Sequence, residues 1–223
     1  MAYDLNFNFI WLYSDRLLWG LLLSLALAVA GTAIGIAIGL SLALLFSVGG
    51  RFTRAAITCY VAVIRNVPLL LLLYLVFYGI PSAGGALLGA TTSFILTLGI
   101  YAGAYLVEVF RAGIEAIPRA LVDAGKAIGL RPWQRRFAIE LPTMLRFVLP
   151  SLSNALLLVF KDTSLASAIA IPELMYQANW INTNTFRVLE VYAVVTPIYL
   201  LTGYAILHGL RRLERQFAIG ARR

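Results

Sequence analysis

One cysteine, Cys59, and one histidine, His208, are the only thiol and the only imidazole in this chain of 223 residues. A lone cysteine excludes an internal disulfide, and a lone histidine with no cysteine near it forms no metal-ligand cluster. They read as a packed thiol and a helix-end imidazole. Charge is scarce as well: Asp, Glu, Lys and Arg make up 13% of the residues, where soluble domains carry about 25%. A phosphate-binding loop is missing. It needs Gly, four residues, then Gly-Lys-Ser/Thr, and the only Gly-Lys pair, Gly125-Lys126, has Ala120 and Ala127 at the deciding places. The chain is therefore not expected to hydrolyse ATP, and no cofactor is expected on it. The N-terminal residues up to Asp15 carry acids and no basic stretch, so no cleavable signal peptide is expected.

What is present is apolar. Hydrophobic residues reach 61% and the mean hydropathy is +0.86, which marks an integral membrane protein. Runs of some twenty apolar residues can each cross a hydrocarbon core of about 30 Å as a helix. The alternation of a transmembrane barrel is absent. The expected fold is all-α, a bundle of about five transmembrane helices at roughly 17–48, 55–78, 92–110, 150–172 and 188–210. The segment 1–16, with Tyr3, Phe7, Phe9, Trp11 and Tyr13 among Asn and Asp, reads as amphipathic and interfacial.

A formal charge of +8 in a soluble protein would suggest nucleic acid. Here the bases follow topology, and no nucleic-acid partner is expected. Arg51 and Arg54 form one group, seven bases between Arg111 and Arg146 a second, and Arg211, Arg212, Arg215, Arg222 and Arg223 a third. By the positive-inside rule these mark cytoplasmic segments. The N-terminus is then outside and the C-terminus cytoplasmic. In the first span Gly31, Gly35, Gly39 and Ala43 recur every fourth residue, a spacing that lets helices approach closely. The stripe fits a contact within one subunit or across a dimer.

Polar residues inside the spans are costly and read as functional. Arg65-Asn66-Val67-Pro68 interrupts the second span, and the proline predicts a kink. Arg65 fits either a substrate contact or a structural guanidinium on backbone carbonyls. Near the end of the third span Glu108 and Arg111 stand three residues apart, as an ion pair anchoring the helix would. The fourth span, between Pro150 and Pro172, carries Lys161-Asp162-Thr163-Ser164 at its centre. Lys161 and Asp162 point about 100° apart and cannot face each other. They fit a substrate path or an ion pair with another helix. The stretch 173–187, polar and aromatic, reads as an external loop.

Between the third and fourth spans lies Asp123-Ala124-Gly125-Lys126-Ala127-Ile128-Gly129, then Leu130 to Ala138, then Ile139-Glu140-Leu141-Pro142. Gly129 suits a helix stop and Pro132 the first turn of a second helix. The spacing resembles the EAA signature of ABC importer permeases: Glu-Ala-Ala, three residues, Gly, nine residues, Ile, one residue, Leu-Pro. Asp123 stands where Glu is usual and Gly125 where the second Ala is usual; Ala120-Leu121 replaces the common Gly-Gln. A basic amphipathic helix lying on the bilayer is the plain alternative. The resemblance covers nearly the whole chain as a single domain, 1–223, with a coupling segment at about 114–142. Lys161-Asp162-Thr163-Ser164-Leu165 resembles the pattern of the polar amino acid type, while Asn66 and Val67 depart from the family's Arg-Gly-Thr-Pro.

The resemblance implies a permease subunit of the bacterial cytoplasmic (inner) membrane. Its coupling residues would be Asp123, Ala124, Gly125, Gly129, Ile139, Leu141 and Pro142, and its substrate path Asp162, Lys161, Thr163, Ser164, Arg65 and Asn66. It further implies two cytoplasmic ATPase subunits using ATP and Mg, a second permease subunit, identical or sister, and an external solute-binding protein. A stand-alone secondary transporter would need its own ion-coupling site and usually inverted repeats, and neither is visible. A membrane-embedded enzyme would need a nucleophile and base, for which His208 is a poor candidate. Apart from Asp162 the fourth span holds no acid, which favours neutral or acidic substrates unless another helix, for instance at Glu190, supplies one.

Overall fold

The computed structural model describes residues 4–219. Tyr3, Arg222 and Arg223, named above, lie outside the described residues. A tight turn, Asn8–Tyr13, leads into α1 (Ser14–Val48), followed by α2 (Arg51–Asn66), α3 (Leu69–Ser82) and α4 (Ala90–Glu115). Then come α5 (Arg119–Ala127), α6 (Pro132–Ile169), α7 (Leu174–Thr185) and α8 (Val188–Ile219). The described residues form no strand. Four helices, α1, α4, α6 and α8, are long and apolar enough to cross a membrane, and the bent pair α2–α3 brings the number to five if it is one span.

α4 is the most enclosed of these helices and the bundle is built around it. Its partner α1 lies against it through glycines on both sides. A Cβ on Gly31, Gly35 or Gly39 would come within 2.6–2.8 Å of Leu98, Ala102 or Leu106. In return, a Cβ on Gly99 or Gly103 would meet Ile34 or Ile38 at 2.5–2.8 Å. The small-residue stripe of α1 is thus spent within the subunit. Close packing of this kind gives dispersion contacts that lipid does not replace. α2 is tied to the same core by Tyr60, whose hydroxyl donates to the Ile100 carbonyl at 2.6 Å.

Three expectations are corrected. The second span does not merely kink: α2 and α3 meet at 102°. Val67 is extended, at ψ 131°, because the proline ring disfavours helical geometry in the residue before it, and Pro68 follows at ψ 134°. Pro150 does not bound the fourth span but lies inside α6, as prolines in membrane helices can when neighbours satisfy the freed carbonyl. Finally, 173–187 is no loop. It contains α7, whose Leu174, Ala178 and Ile181 are buried against Leu17, Val191 and Val195. Glu173 caps it, accepting from the Met175 and Tyr176 amides at 2.9 and 2.8 Å and from the Ser24 and Tyr199 hydroxyls at 3.1 and 3.3 Å. The N-terminal segment docks beside it, with Ile10 buried and the Asn6 amide donating to Glu190 at 3.2 Å.

Candidate functional site: a charged cavity and a re-entrant motif

The break at Pro68 leaves Arg65 at the end of α2, where its guanidinium lies 4.9 Å from the Tyr105 ring centroid on α4. One turn earlier on α4, Tyr101 brings its hydroxyl to 3.1 Å from that of Tyr105. These residues line a cavity of about 310 Å³ with Thr32 of α1, Glu108 of α4, and Asn154, Leu158 and Asp162 of α6. A cation and an acid separated by about a hundred residues therefore border one space. No cation among the described residues lies within 4.0 Å of Asp162.

The remaining expected path residues do not line the cavity. Lys161 is exposed. Thr163 is fully buried with its hydroxyl on the Phe160 carbonyl at 2.7 Å, and Ser164 donates to the Lys161 carbonyl at 2.9 Å. The Asn66 side-chain amide donates to the Ala62 carbonyl at 2.7 Å. Sequence reading missed Tyr101, Tyr105, Glu108 and Asn154 as lining residues. Two tyrosines at i,i+4 in an apolar span were the available signal. Glu108 does pair with Arg111, at 2.9 Å, but it also borders the cavity, whereas Glu190 is buried elsewhere, beside Arg187. A larger groove of about 480 Å³ beside Trp11, Leu18 and Val194 holds no ionisable group, so it does not suit a polar solute.

The motif between α4 and α6 folds back on itself. Gly129 has φ +77°, and α5 ends with the Gly129 amide on the Lys126 carbonyl at 2.9 Å and the Leu130 amide on the Gly125 carbonyl at 3.0 Å. This is a Schellman stop, the arrangement a glycine at that place favours. The chain re-enters as α6 with Pro132 in its first turn and Gln134 accepting from the Arg131 amide at 2.9 Å. Buried Gly125 then receives Ile139: a Cβ there would lie 2.8 Å from Ile139 Cδ1. The glycine in place of alanine thus makes room for another motif residue. Leu141 packs on the cluster of Phe110, Met144 and Val148. Pro142, which has no amide to donate, follows a wide turn at Arg136–Glu140. Asp123 is exposed and bonded to Lys126 at 2.8 Å, and that ammonium holds its carboxyl below the usual carboxylate range. Ala124 keeps α5 regular, its carbonyl accepting from the Ile128 amide at 3.2 Å.

A family model described as the binding-protein-dependent transport system inner membrane component matches residues 31–216. The chain belongs to this family. The permease is 34% identical over 159 residues to the probable glutamine ABC transporter permease protein GlnM of Bacillus subtilis, covering 71% of this chain and 73% of that one. It is 34% identical over 183 residues to the arginine ABC transporter permease protein ArtQ of Haemophilus influenzae, covering 78% and 83%. Among solved structures it matches an amino acid ABC transporter crystallised with histidines, with a TM-score of 0.87, 27% identity, and 96% of this chain and 100% of that chain covered. The MetNI methionine ABC transporter in an inward-facing conformation shares the fold at 18% identity, with a TM-score of 0.77 over 96% and 99% of the two chains. The permease is an inner-membrane transport subunit of an ABC importer and not an enzyme. The secondary-transporter alternative falls with that membership.

Proposed function

We propose that this permease carries polar amino acids through the cavity between α2, α4 and α6. Asp162 takes the α-ammonium and Arg65 the α-carboxylate. The observation that carries the reading is that these two opposite charges, from distant parts of the chain, border one space of about 310 Å³. That volume lies at the small end of the roughly 300–1,000 Å³ usual for ligand pockets, as a solute of amino-acid size requires. Glu108 is a second carboxylate at the cavity, but Arg111 engages it at 2.9 Å. A cationic side chain would have to displace that partner, so neutral or acidic substrates are favoured.

The segment about 114–142 is the coupling element, and it meets one of two cytoplasmic ATPase subunits, which bind ATP and Mg. Its exposed apolar residues support this: Ile128 and Phe137 are 74% and 66% exposed, beside Trp133. Surface so apolar within a basic segment suits a protein groove better than solvent. A second permease subunit, identical or sister, and an external solute-binding protein complete the importer. The topology supported by the bases has the N-terminus outside and the C-terminus in the cytoplasm. In keeping with it, Arg54 reaches the Phe46 carbonyl at 3.2 Å and Arg136 the Ser47 hydroxyl at 3.5 Å, gathering two basic groups at one end of the bundle.

Asp162→Asn tests the cavity reading. It keeps the shape and removes the charge, so uptake should fall about tenfold or more, since a hydrogen bond to a charged group contributes about 1.5–3 kcal/mol. Assembly and basal ATP hydrolysis should persist. Undiminished uptake at matched protein level would remove Asp162 from the path.

A further inference from the structure

At the end of the bundle where α1 stops and α2 starts, a second cavity of about 200 Å³ lies between α1, α2 and α4, lined by Phe46, Ser47, Arg54, Arg111 and Glu115. We infer that it binds the phosphate of an anionic phospholipid. The site is independent of the substrate cavity. It depends on the proposed topology only for the leaflet, which would be the inner one.

Three guanidiniums converge on a short stretch of α1. Arg54 Nε donates to the Phe46 carbonyl at 3.2 Å, and no carboxylate among the described residues lies within 4.0 Å of it. Arg111 lies 3.8 Å from the Phe46 ring centroid, and its Nε is buried without a hydrogen-bond partner. Arg136, which does not itself line the cavity, reaches the Ser47 hydroxyl at 3.5 Å. Arg111 is paired with Glu108 at 2.9 Å and lies 3.8 Å from the largely exposed Glu115, and Arg136 lies 3.8 Å from Glu140, so Arg54 is the guanidinium here with no carboxylate partner among the described residues. No side chain caps the start of α2, and an open helix N-terminus adds partial positive charge where a phosphate would sit.

The surroundings favour a lipid over a soluble anion. Leu45, Val48 and Phe52, close in sequence to the lining residues Phe46, Ser47 and Arg54, stand exposed, Phe52 at 90%. A charged socket with an apolar rim at the end of a membrane helix matches a headgroup whose acyl chains lie along the rim. Basic pockets of this kind between membrane helices bind anionic headgroups.

The test uses the purified full-length permease with its co-purifying subunits in mild detergent, titrated with phosphatidylglycerol or phosphatidylcholine and read by native mass spectrometry. Phosphatidylglycerol should be retained at least about fivefold better, and Arg54→Gln should lose about fivefold, the effect of one basic residue near a headgroup, while Arg54→Lys keeps most of it. Glu115→Gln, which removes an opposing acid, should raise retention. If Arg54→Gln does not fold, Glu115→Gln decides: a gain supports the site and no change overturns it. Equal retention of the two lipids, or retention unaffected by Arg54→Gln, overturns the proposal. Displacement by inorganic phosphate would assign the site to a soluble anion and overturn the lipid.

Discussion

The α1–α4 contact can be tested one methyl group at a time. A Cβ on Gly35 would lie 2.8 Å from the Ala102 Cβ, with the Gly103 amide nitrogen next at 3.3 Å. Neither neighbour can rotate away, so Gly35→Ala must push apart two helices that also interlock at Gly31, Gly39, Gly99 and Gly103. Overpacking of this kind costs about 1–3 kcal/mol, although alanine raises helix propensity by roughly 1 kcal/mol. The clash is therefore expected to win, with a lowered thermal midpoint of the detergent-purified protein. Ala102→Gly removes the clashing methyl. Alone it should be mildly destabilising, by about 1 kcal/mol of propensity plus lost contact. Combined with Gly35→Ala it should recover stability beyond the sum of the two, with a coupling of about 1–2 kcal/mol, within the range for residues in contact. Gly50→Ala is the control, since nothing lies within 4 Å of a Cβ there. A strictly additive pair, measured as midpoints and as yield of monodisperse protein, would refute the packing argument.

Two further predictions concern the ends of the bundle. Gly129→Pro, which destroys the Schellman stop, and Asp123→Lys, which reverses the charge facing Lys126, should each abolish uptake while the protein still reaches the membrane; normal uptake by both at matched levels would remove the coupling role. Glu173→Gln leaves one carbonyl to serve four donors, so its thermal midpoint should fall by the equivalent of about 1–3 kcal/mol for unsatisfied buried groups, and an unchanged midpoint would show that the cap contributes little.

How far the fold was legible depended on whether one residue type decided the outcome locally. Apolar runs revealed the long helices, and Gly129 with Pro132 revealed the turn between α5 and α6, because a positive φ and a missing amide act on their own neighbourhood. Where tertiary contacts outvote the local signal, sequence reading failed. α7 carries buried Leu174, Ala178 and Ile181 at helical spacing, but Asn and Gln outnumber them and suggested a loop. Pro150 suggested a boundary, yet α6 continues through it because Met144 and Val148 on one side and Ser153 on the other are packed. In the run from Lys161 to Ser164, composition could not say which side chain met the cavity. Successive residues rotate by about 100°, and only Asp162 lines it.

The two candidate sites share a helix. α6 carries the motif residues Ile139, Leu141 and Pro142 in its early turns and Asp162 near its far end, and the part from Leu141 to Asp162 spans 22 residues, or about 33 Å at 1.5 Å per residue. Its first half is gripped by α4, with Met144 and Val148 buried against Phe110 and Gly113 set against Val148. Ser153 also donates to Glu214 of α8 at 2.5 Å. If the proposed coupling role holds, a force applied through Ile139 at Gly125 would be received by a helix braced on two sides. Such a helix would then be expected to move as a body rather than bend at its start. Pro142 lies in the first turn of that stretch and Pro150 in its interior, so any flexing between motif and cavity should concentrate at Pro150. On the proposed reading, coupling requires only that α6 shift against α4, because that shift alone moves Asp162 relative to Tyr101, Tyr105 and the Arg65 that leans on Tyr105.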